Sequence, residues 1–372
     1  MKKEIIFLGY YCDLNKHKDK ILSNADNFAQ LGYIQSLSAF NTKLISTNNI
    51  NNSNYNYIDI VDGKEVTFIG SKNKISKFFN LYNELKKHKD KILIYYNNLF
   101  LYNVVSYFLT KKYNIKFIPI LITDPFEIKT NNLMKKNILK IKKIISNQTL
   151  KFASGVITIT NKIQCNNINT AVINGGIDSN ILEKYKKVRK KKSKKIKIVY
   201  TGALYYRYNL PKIINAVNNS NLDLEFDIYG SGEDLEYIKN SVNEKIKYFG
   251  NVSREELIQV QKNADILVAI LNNDELSNKT FPSKIFEYIA TGNEVIISNL
   301  DIIDNDLKKL CHVIEKINEK SIIEKINSII LDKKKLNNEE ISYKTLLSNY
   351  TWEANSKKIV KLIDEVYNEK II

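Results

Sequence analysis

The chain has 372 residues, with 57 Lys and Arg against 40 Asp and Glu for a net charge of +17, and 44 % of it is hydrophobic. At roughly 150 residues per domain that length suggests two domains, and the hydrophobic fraction excludes a disordered linker protein. Cys12, Cys165 and Cys311 lack CxxC spacing, and His17, His88 and His312 form no HExxH pattern; a disulfide framework, a zinc knuckle and a histidine-based metal site are therefore not expected, and a reducing compartment, the cytoplasm, fits.

Met1-Lys2-Lys3 followed by Ile5-Ile6-Phe7-Leu8 imitates a signal peptide, but Asp13 and Lys16 soon interrupt the apolar run. It reads as a first buried strand, Lys3 to Leu8. No stretch approaches the roughly 18 apolar residues that span a bilayer, so membrane association, if any, is expected to be peripheral. A helix is predicted from Ser23 or Asn24, carrying Phe28, Leu31, Ile34, Ser36 and Leu37, and Thr42 to Ser46 is the next strand. Ile92 to Tyr96 and Ile115 to Thr123 are further strands, with an aromatic-rich helix from Leu99 to Leu109 between them. A long basic helix, Asn132 to Phe152, leads to the strand Gly155 to Thr160.

Basic residues crowd the weakly apolar stretch 184–196, read as a linker between a first domain of residues 1–183 and a second of 197–350. In the second, strands are predicted at 197–201, 224–229, 246–249, 265–270 and 295–298. Helices alternate with them at 211–218, 235–242, 253–263 and 282–291. Ser253 and Glu256 form a capping box, and Pro282 and Gly292 bracket the last of these helices. A final helix runs from Trp352 to Tyr367. The alternation is that of an α/β protein with two Rossmann-like halves, and ligands of such sheets bind outside the carboxyl ends of their strands.

The most informative stretch runs from Asn278 through Lys279, Thr280, Phe281, Pro282, Ser283 and Lys284 to Glu287 and Gly292. It opens a helix, whose unpaired N–H groups and positive dipole suit a diphosphate, and Ser283 and Lys284 add a hydroxyl donor and a cation. Glu287 lies one turn on, where a carboxylate can accept hydrogen bonds from both hydroxyls of a ribose.

The segment Phe281 to Ile296, FPSKIFEYIATGNEVI, resembles the C-terminal signature of the retaining GT-B glycosyltransferases of family 4, of the bacterial capsule, exopolysaccharide or protein-glycan type. Val172 to Asp178 resembles the stretch where such enzymes cross between domains. Tyr200-Thr201-Gly202, Tyr229-Gly230-Ser231-Gly232 and Tyr248-Phe249-Gly250-Asn251-Val252 agree in position with turns of their donor domain. Thr351-Trp352-Glu353 resembles the start of the terminal helix, 351–372, that crosses back onto the first domain.

The resemblance implies two Rossmann-like domains facing across a cleft and transfer of a hexose from a nucleotide sugar, a UDP-sugar foremost, with retention of configuration. Arg207 and Lys284 resemble the cations that contact the donor diphosphate, and fixed cations stabilise charge as it develops on a leaving group. Gly202, Tyr229, Gly230, Lys279, Thr280 and Ser283 would line the donor, the backbone at Gly250, Asn251 and Val252 would meet the base, and Glu287 the ribose. Asp124, at the end of a first-domain strand, is the candidate for a further catalytic or sugar-binding group; a turn-capping Asp before Pro125 is the plainer reading.

Two departures stand out. Many members carry a pair of Glu residues separated by seven others, and Lys279 occupies the first of those positions; the Gly-rich turn after the first strand is reduced to Gly9-Tyr10-Tyr11-Cys12. No cofactor or metal is expected, because the cations and the helix end can do that work; Asp304-Asn305-Asp306 spells a DxD but reads as a helix cap. The acceptor is expected to be a lipid- or protein-linked glycan, and a homo-oligomer is compatible with the sequence. Met134, Ile138, Ile141 and Ile145 fall on one face of the basic helix among Lys135, Lys136, Lys140, Lys142 and Lys143, which suits an anionic membrane; a core-packed helix with a solvated lysine face is the alternative. A non-catalytic subunit that binds a nucleotide sugar is the rival function. Nucleic acid is not expected, since no motif supports it.

Overall fold

A computed structural model describes residues 3–13, 16–17, 24–122, 132–160, 168–187, 195–274, 277–279, 281–331 and 339–368. The chain divides into two compact units, Met1–Asn174 with Trp352–Ile372, and Gly175–Thr351.

The first unit runs β1 (Glu4–Gly9), α1 (Asn24–Ser36), β2 (Asn41–Ser46), β3 (Tyr57–Val61), β4 (Lys64–Phe68) and α2 (Lys74–Lys86). It continues with β5 (Ile92–Tyr96), α3 (Phe100–Tyr113), β6 (Phe117–Leu121), α4 (Leu133–Leu150), β7 (Val156–Thr158) and β8 (Thr170–Val172). The sheet order is β3-β4-β2-β1-β5-β6-β7-β8. Strands β5 and β6 are buried along their whole length, as expected of central parallel strands covered on both faces. Alternate residues of β1 feed two cores, Ile5 and Phe7 on one face and Ile6 and Leu8 on the other. Among the described residues the one antiparallel pairing joins β3 to β4 through Asp62-Gly63; both residues have positive φ, 46° and 72°, the requirement of a two-residue hairpin turn. The C-terminal helix Trp352–Asn368 belongs to this unit and packs on α1. Trp352 stacks obliquely on Tyr33 at 5.1 Å and fills the space where a Cβ on Gly32 would stand, so that position excludes any larger residue.

The second unit runs α5 (Ser179–Lys187), β9 (Ile196–Thr201), α6 (Leu210–Asn218), β10 (Leu224–Tyr229), α7 (Leu235–Asn240), β11 (Ile246–Gly250) and α8 (Arg254–Asn263). Then come β12 (Ile266–Ala269), α9 (Lys284–Ala290), β13 (Glu294–Ser298), α10 (Asn305–Lys308), β14 (His312–Ile314), α11 (Glu319–Leu331) and α12 (Glu339–Asn349). Its sheet is parallel throughout, ordered β11-β10-β9-β12-β13-β14. The order reverses between β9 and β12, and such a switch point opens a crevice at the carboxyl ends of the strands. The division between the units falls at Gly175, before the basic stretch 184–196, because α5 packs on α8, α9 and α12 and so joins the second core.

Candidate functional site

Three turns at the carboxyl ends of β9, β10 and β11 are laced together by main-chain hydrogen bonds. Gly202 N donates to Tyr229 O at 3.0 Å, Gly230 N to Gly250 O at 2.8 Å, and Leu204 N to Ser231 O at 2.9 Å. This proximity needs glycine: at Gly230, with φ 131°, a Cβ would lie 1.8 Å from the Gly202 carbonyl oxygen. Gly230→Ala is expected to cost about 3 kcal/mol or more, a fall in Tm on the order of 10 °C. A melting temperature within about 2 °C of wild type would show that the turns tolerate separation.

Gly202, with φ 130°, makes room for Lys284, whose Nζ would come within 2.7 Å of a Cβ there. Tyr288, one helical turn after Lys284, fixes α9 against β9 by accepting from Thr201 N at 2.8 Å. Lys284 Nζ then lies between two rings, 4.0 Å from the centroid of Tyr200 and 4.1 Å from that of Tyr208, and donates to the Tyr200 hydroxyl at 2.8 Å. Arg207 sits on the same Tyr208 ring, its guanidinium carbon 5.1 Å from the centroid. Arg207 Nε is buried and has no hydrogen-bond partner among the described residues. Burial, and secondly the like charge of Arg207, push the Lys284 ammonium down to about 7, against a partial pull upward from Glu287. Two cations thus share one wall, and the described residues include no carboxylate paired with either, an arrangement that favours an incoming dianion.

Glu287 is held from both sides. Its Oε1 accepts from Arg254 at 2.7 Å and its Oε2 from Gln261 Nε2 at 3.4 Å. Gln261 in turn donates to Thr201 Oγ1 at 2.8 Å and accepts from the Tyr185 hydroxyl. A carboxylate fixed in this way presents its remaining lone pairs in a set direction, which is the requirement for gripping a diol. At the neighbouring turn Tyr229 and Phe249 stack face to face at 4.7 Å, and Tyr248 donates its hydroxyl to Gly230 O at 2.8 Å. Asn251 is exposed and donates to Ser231 Oγ at 3.3 Å, while Val252 beside it is half-buried.

Of the residues singled out from sequence, Gly202, Arg207, Tyr229, Gly230, Gly250, Asn251, Val252, Ser283, Lys284 and Glu287 all lie in the second unit, on the turns after β9 to β11 and on the first turn of α9. Ser283 is exposed and makes no capping hydrogen bond. Lys279 ends a short 3-10 turn, Ser277–Lys279, and its side chain lies outside the described residues, as do Thr280 and Asp124. Asp304 caps α10, accepting from Leu307 N at 2.9 Å, and receives the Tyr350 hydroxyl. The sequence pattern assigned no role to Tyr200, quoted only with its turn, or to Tyr208, which together sandwich Lys284, and none to Arg254 and Gln261, which hold Glu287. Arg254 was adjacent to the recognised Ser253 cap, but nothing in its spacing pointed at Glu287, 33 residues away.

In the first unit, α1 clamps the turn after β1: Gln30 accepts from Tyr10 N at 2.8 Å, and Asn27 exchanges two hydrogen bonds with the Cys12 backbone. Side-chain amides thereby do the work of the missing glycines. Tyr96, at the end of β5, donates to Asp26 at 3.2 Å, and the Tyr10 and Tyr96 rings meet edge to face at 5.7 Å. Burial, and next the Asp26 charge, hold both tyrosine hydroxyls protonated well beyond the ordinary range.

Two doubly wound Rossmann-like units define the GT-B fold of glycosyltransferases. Residues 182–345, which span most of the second unit and include the cations and Glu287, match the family Glycosyl transferases group 1. Over its length the chain is 24 % identical to an uncharacterized glycosyltransferase of Methanocaldococcus jannaschii, covering 98 % of this chain and 99 % of that protein. Among solved structures it is similar to the sucrose-phosphate synthase of Thermosynechococcus elongatus, with TM-score 0.70, 10 % identity, and 98 % and 99 % of the two chains covered. It is also similar to Anabaena HepE in complex with UDP, with TM-score 0.70, 13 % identity, and 97 % and 99 % covered.

Proposed function

We propose that this protein is a cytoplasmic, retaining glycosyltransferase of family 4 that moves a hexose from a UDP-sugar onto a lipid- or protein-linked glycan. The observation that carries the reading is the cation pair, Arg207 and Lys284, set on Tyr208 beside the strand-end turns. Breaking a sugar–phosphate bond leaves negative charge on the departing nucleotide diphosphate. Cations already in place stabilise that charge without reorganising, so no metal is needed in this scheme. Glu287 would hold the ribose, and the base would lie near the backbone of Gly250, Asn251 and Val252. Anabaena HepE, a structural neighbour, has been solved with UDP-glucose, which supports the choice of donor. For the acceptor's hydroxyls the candidates are Tyr10, Asp26 and Tyr96, which gather at the carboxyl ends of β1 and β5, and, from the sequence alone, Asp124.

A panel of UDP-, GDP- and ADP-sugars tests the reading by thermal shift and by release of free nucleotide diphosphate. A bound donor at a hundred times its dissociation constant adds about 2.7 kcal/mol of stability, and UDP-sugars are expected to give it. No stabilisation by any nucleotide would overturn the donor site. Stabilisation without hydrolysis or transfer to any glycan acceptor would point to a non-catalytic binding subunit.

A further inference from the structure

Helix α4 turns the wrong face to its unit. Its fully buried residues are Ser146 and Thr149, on the side packed towards α3. Met134, Ile138, Ile141 and Ile145, which stack into one stripe at about 3.6 residues per turn, stand exposed together with Ile144, Met134 by 74 % and Ile144 by 61 %. An ordinary surface helix does the reverse. Lys135, Lys136 and Lys140 are exposed around the stripe, and no acidic residue occurs anywhere from 128 to 177.

The apolar surface continues beyond α4. Phe152, just past its end, meets Tyr107 of α3 at 5.5 Å; Phe108, adjacent on α3, reaches Phe78 of α2 at 6.1 Å. Phe108 and Phe79 are each about half exposed, and the ammonium of Lys111 lies 4.2 Å above the Phe152 ring. One face formed by α2, α3 and α4 thus carries isoleucine, phenylalanine and lysine side by side. Contiguous apolar surface of this kind marks an interaction site.

We propose that this face seats the protein on an anionic phospholipid bilayer, with the α4 stripe lying in the headgroup boundary and its lysines on lipid phosphates. A bilayer supplies the two things the face lacks, an apolar phase and negative charge. A second copy of this chain supplies only the first, because it brings the same lysines into opposition on a molecule of net charge +17. No helix among the described residues is long and apolar enough to cross a membrane, so the contact is with the surface. The proposal does not depend on the donor site and is measured without a nucleotide sugar.

The test is sedimentation of the full chain with vesicles of phosphatidylcholine alone and of phosphatidylcholine mixed with phosphatidylglycerol. Partition into the anionic vesicles is expected at low salt, falling roughly tenfold or more on raising the salt. A similar fall is expected for Ile141→Ser/Ile144→Ser and for Lys136→Gln/Lys140→Gln, with Tm and solution mass unchanged because each replaced side chain is exposed. Equal recovery with both vesicle types would overturn the proposal. So would a wild-type dimer that Ile141→Ser/Ile144→Ser converts to monomer, since the face would then be an interface between copies.

Discussion

Lys284→Ala is expected to lower kcat by roughly two orders of magnitude, on the order of 3 kcal/mol of barrier, with a smaller change in donor affinity. The reason is differential: charge on the diphosphate grows as the sugar departs, and an ammonium packed between Tyr200 and Tyr208 cannot be replaced there by water. Lys284→Arg separates charge from titration. In the free wild type burial and Arg207 bring Lys284 down to about 7, so near pH 8 most of it is neutral. A bound diphosphate favours the ammonium, so UDP-glucose affinity is expected to fall as pH rises above about 7, by up to tenfold per pH unit. Stability of the ligand-free protein should move the other way. Between that depressed value and the ordinary lysine value the unfolded chain holds the extra proton, so stability rises with pH across the window. Calorimetry with UDP-glucose across this range, on wild type and Lys284→Arg, checks both points. An affinity independent of pH in wild type, or full turnover by Lys284→Ala, would remove this residue from the chemistry.

Glu287→Ala is expected to act on donor KM instead, raising it by about 1.5–3 kcal/mol, or roughly ten- to a hundredfold, with kcat little changed. A grip on the ribose is equal in ground and transition states, so its loss weakens binding uniformly. The ion pair with Arg254 refines the expectation. Arg254 is 34 % exposed and can turn to water when its partner is removed, so stability should change by no more than about 1 kcal/mol. Gln261→Ala should show a weaker version of the same KM effect, because it loosens Glu287 without deleting it. Unchanged KM for UDP-glucose in a folded Glu287→Ala enzyme would leave the Glu287, Arg254 and Gln261 cluster purely structural.

Much of this architecture was legible in the amino-acid order. The fully apolar runs at β5 and β6, the Ser253 cap of α8 and the cation–carboxylate spacing of Lys284 and Glu287 are local patterns, and local patterns are set by periodicity and capping that neighbouring residues supply. The hairpin β3–β4 escaped notice although Asp62-Gly63 announces a tight turn, because its strands are short and half-exposed and their alternation is weak. The basic stretch 184–196 suggested a domain boundary, whereas the fold divides at Gly175, since membership of a core is decided by what α5 packs against and not by composition.

By itself, then, the sequence determined the alternation of strands and helices, the doubly wound class, and which side chains stand at the strand ends and at the start of α9. Only the tertiary structure decided what surrounds them: Tyr200 and Tyr208 around Lys284, Arg254 and Gln261 around Glu287, and Gly230 against Gly202. These partners are brought together by parallel strands whose crossovers place distant segments at one sheet edge, and no periodicity within a segment encodes that meeting. The apolar stripe of α4 was legible as well, but a stripe reads alike whether it faces a core or a membrane. Burial of Ser146 and Thr149, on the flank beside the stripe, is what left the stripe itself outside the unit's own core.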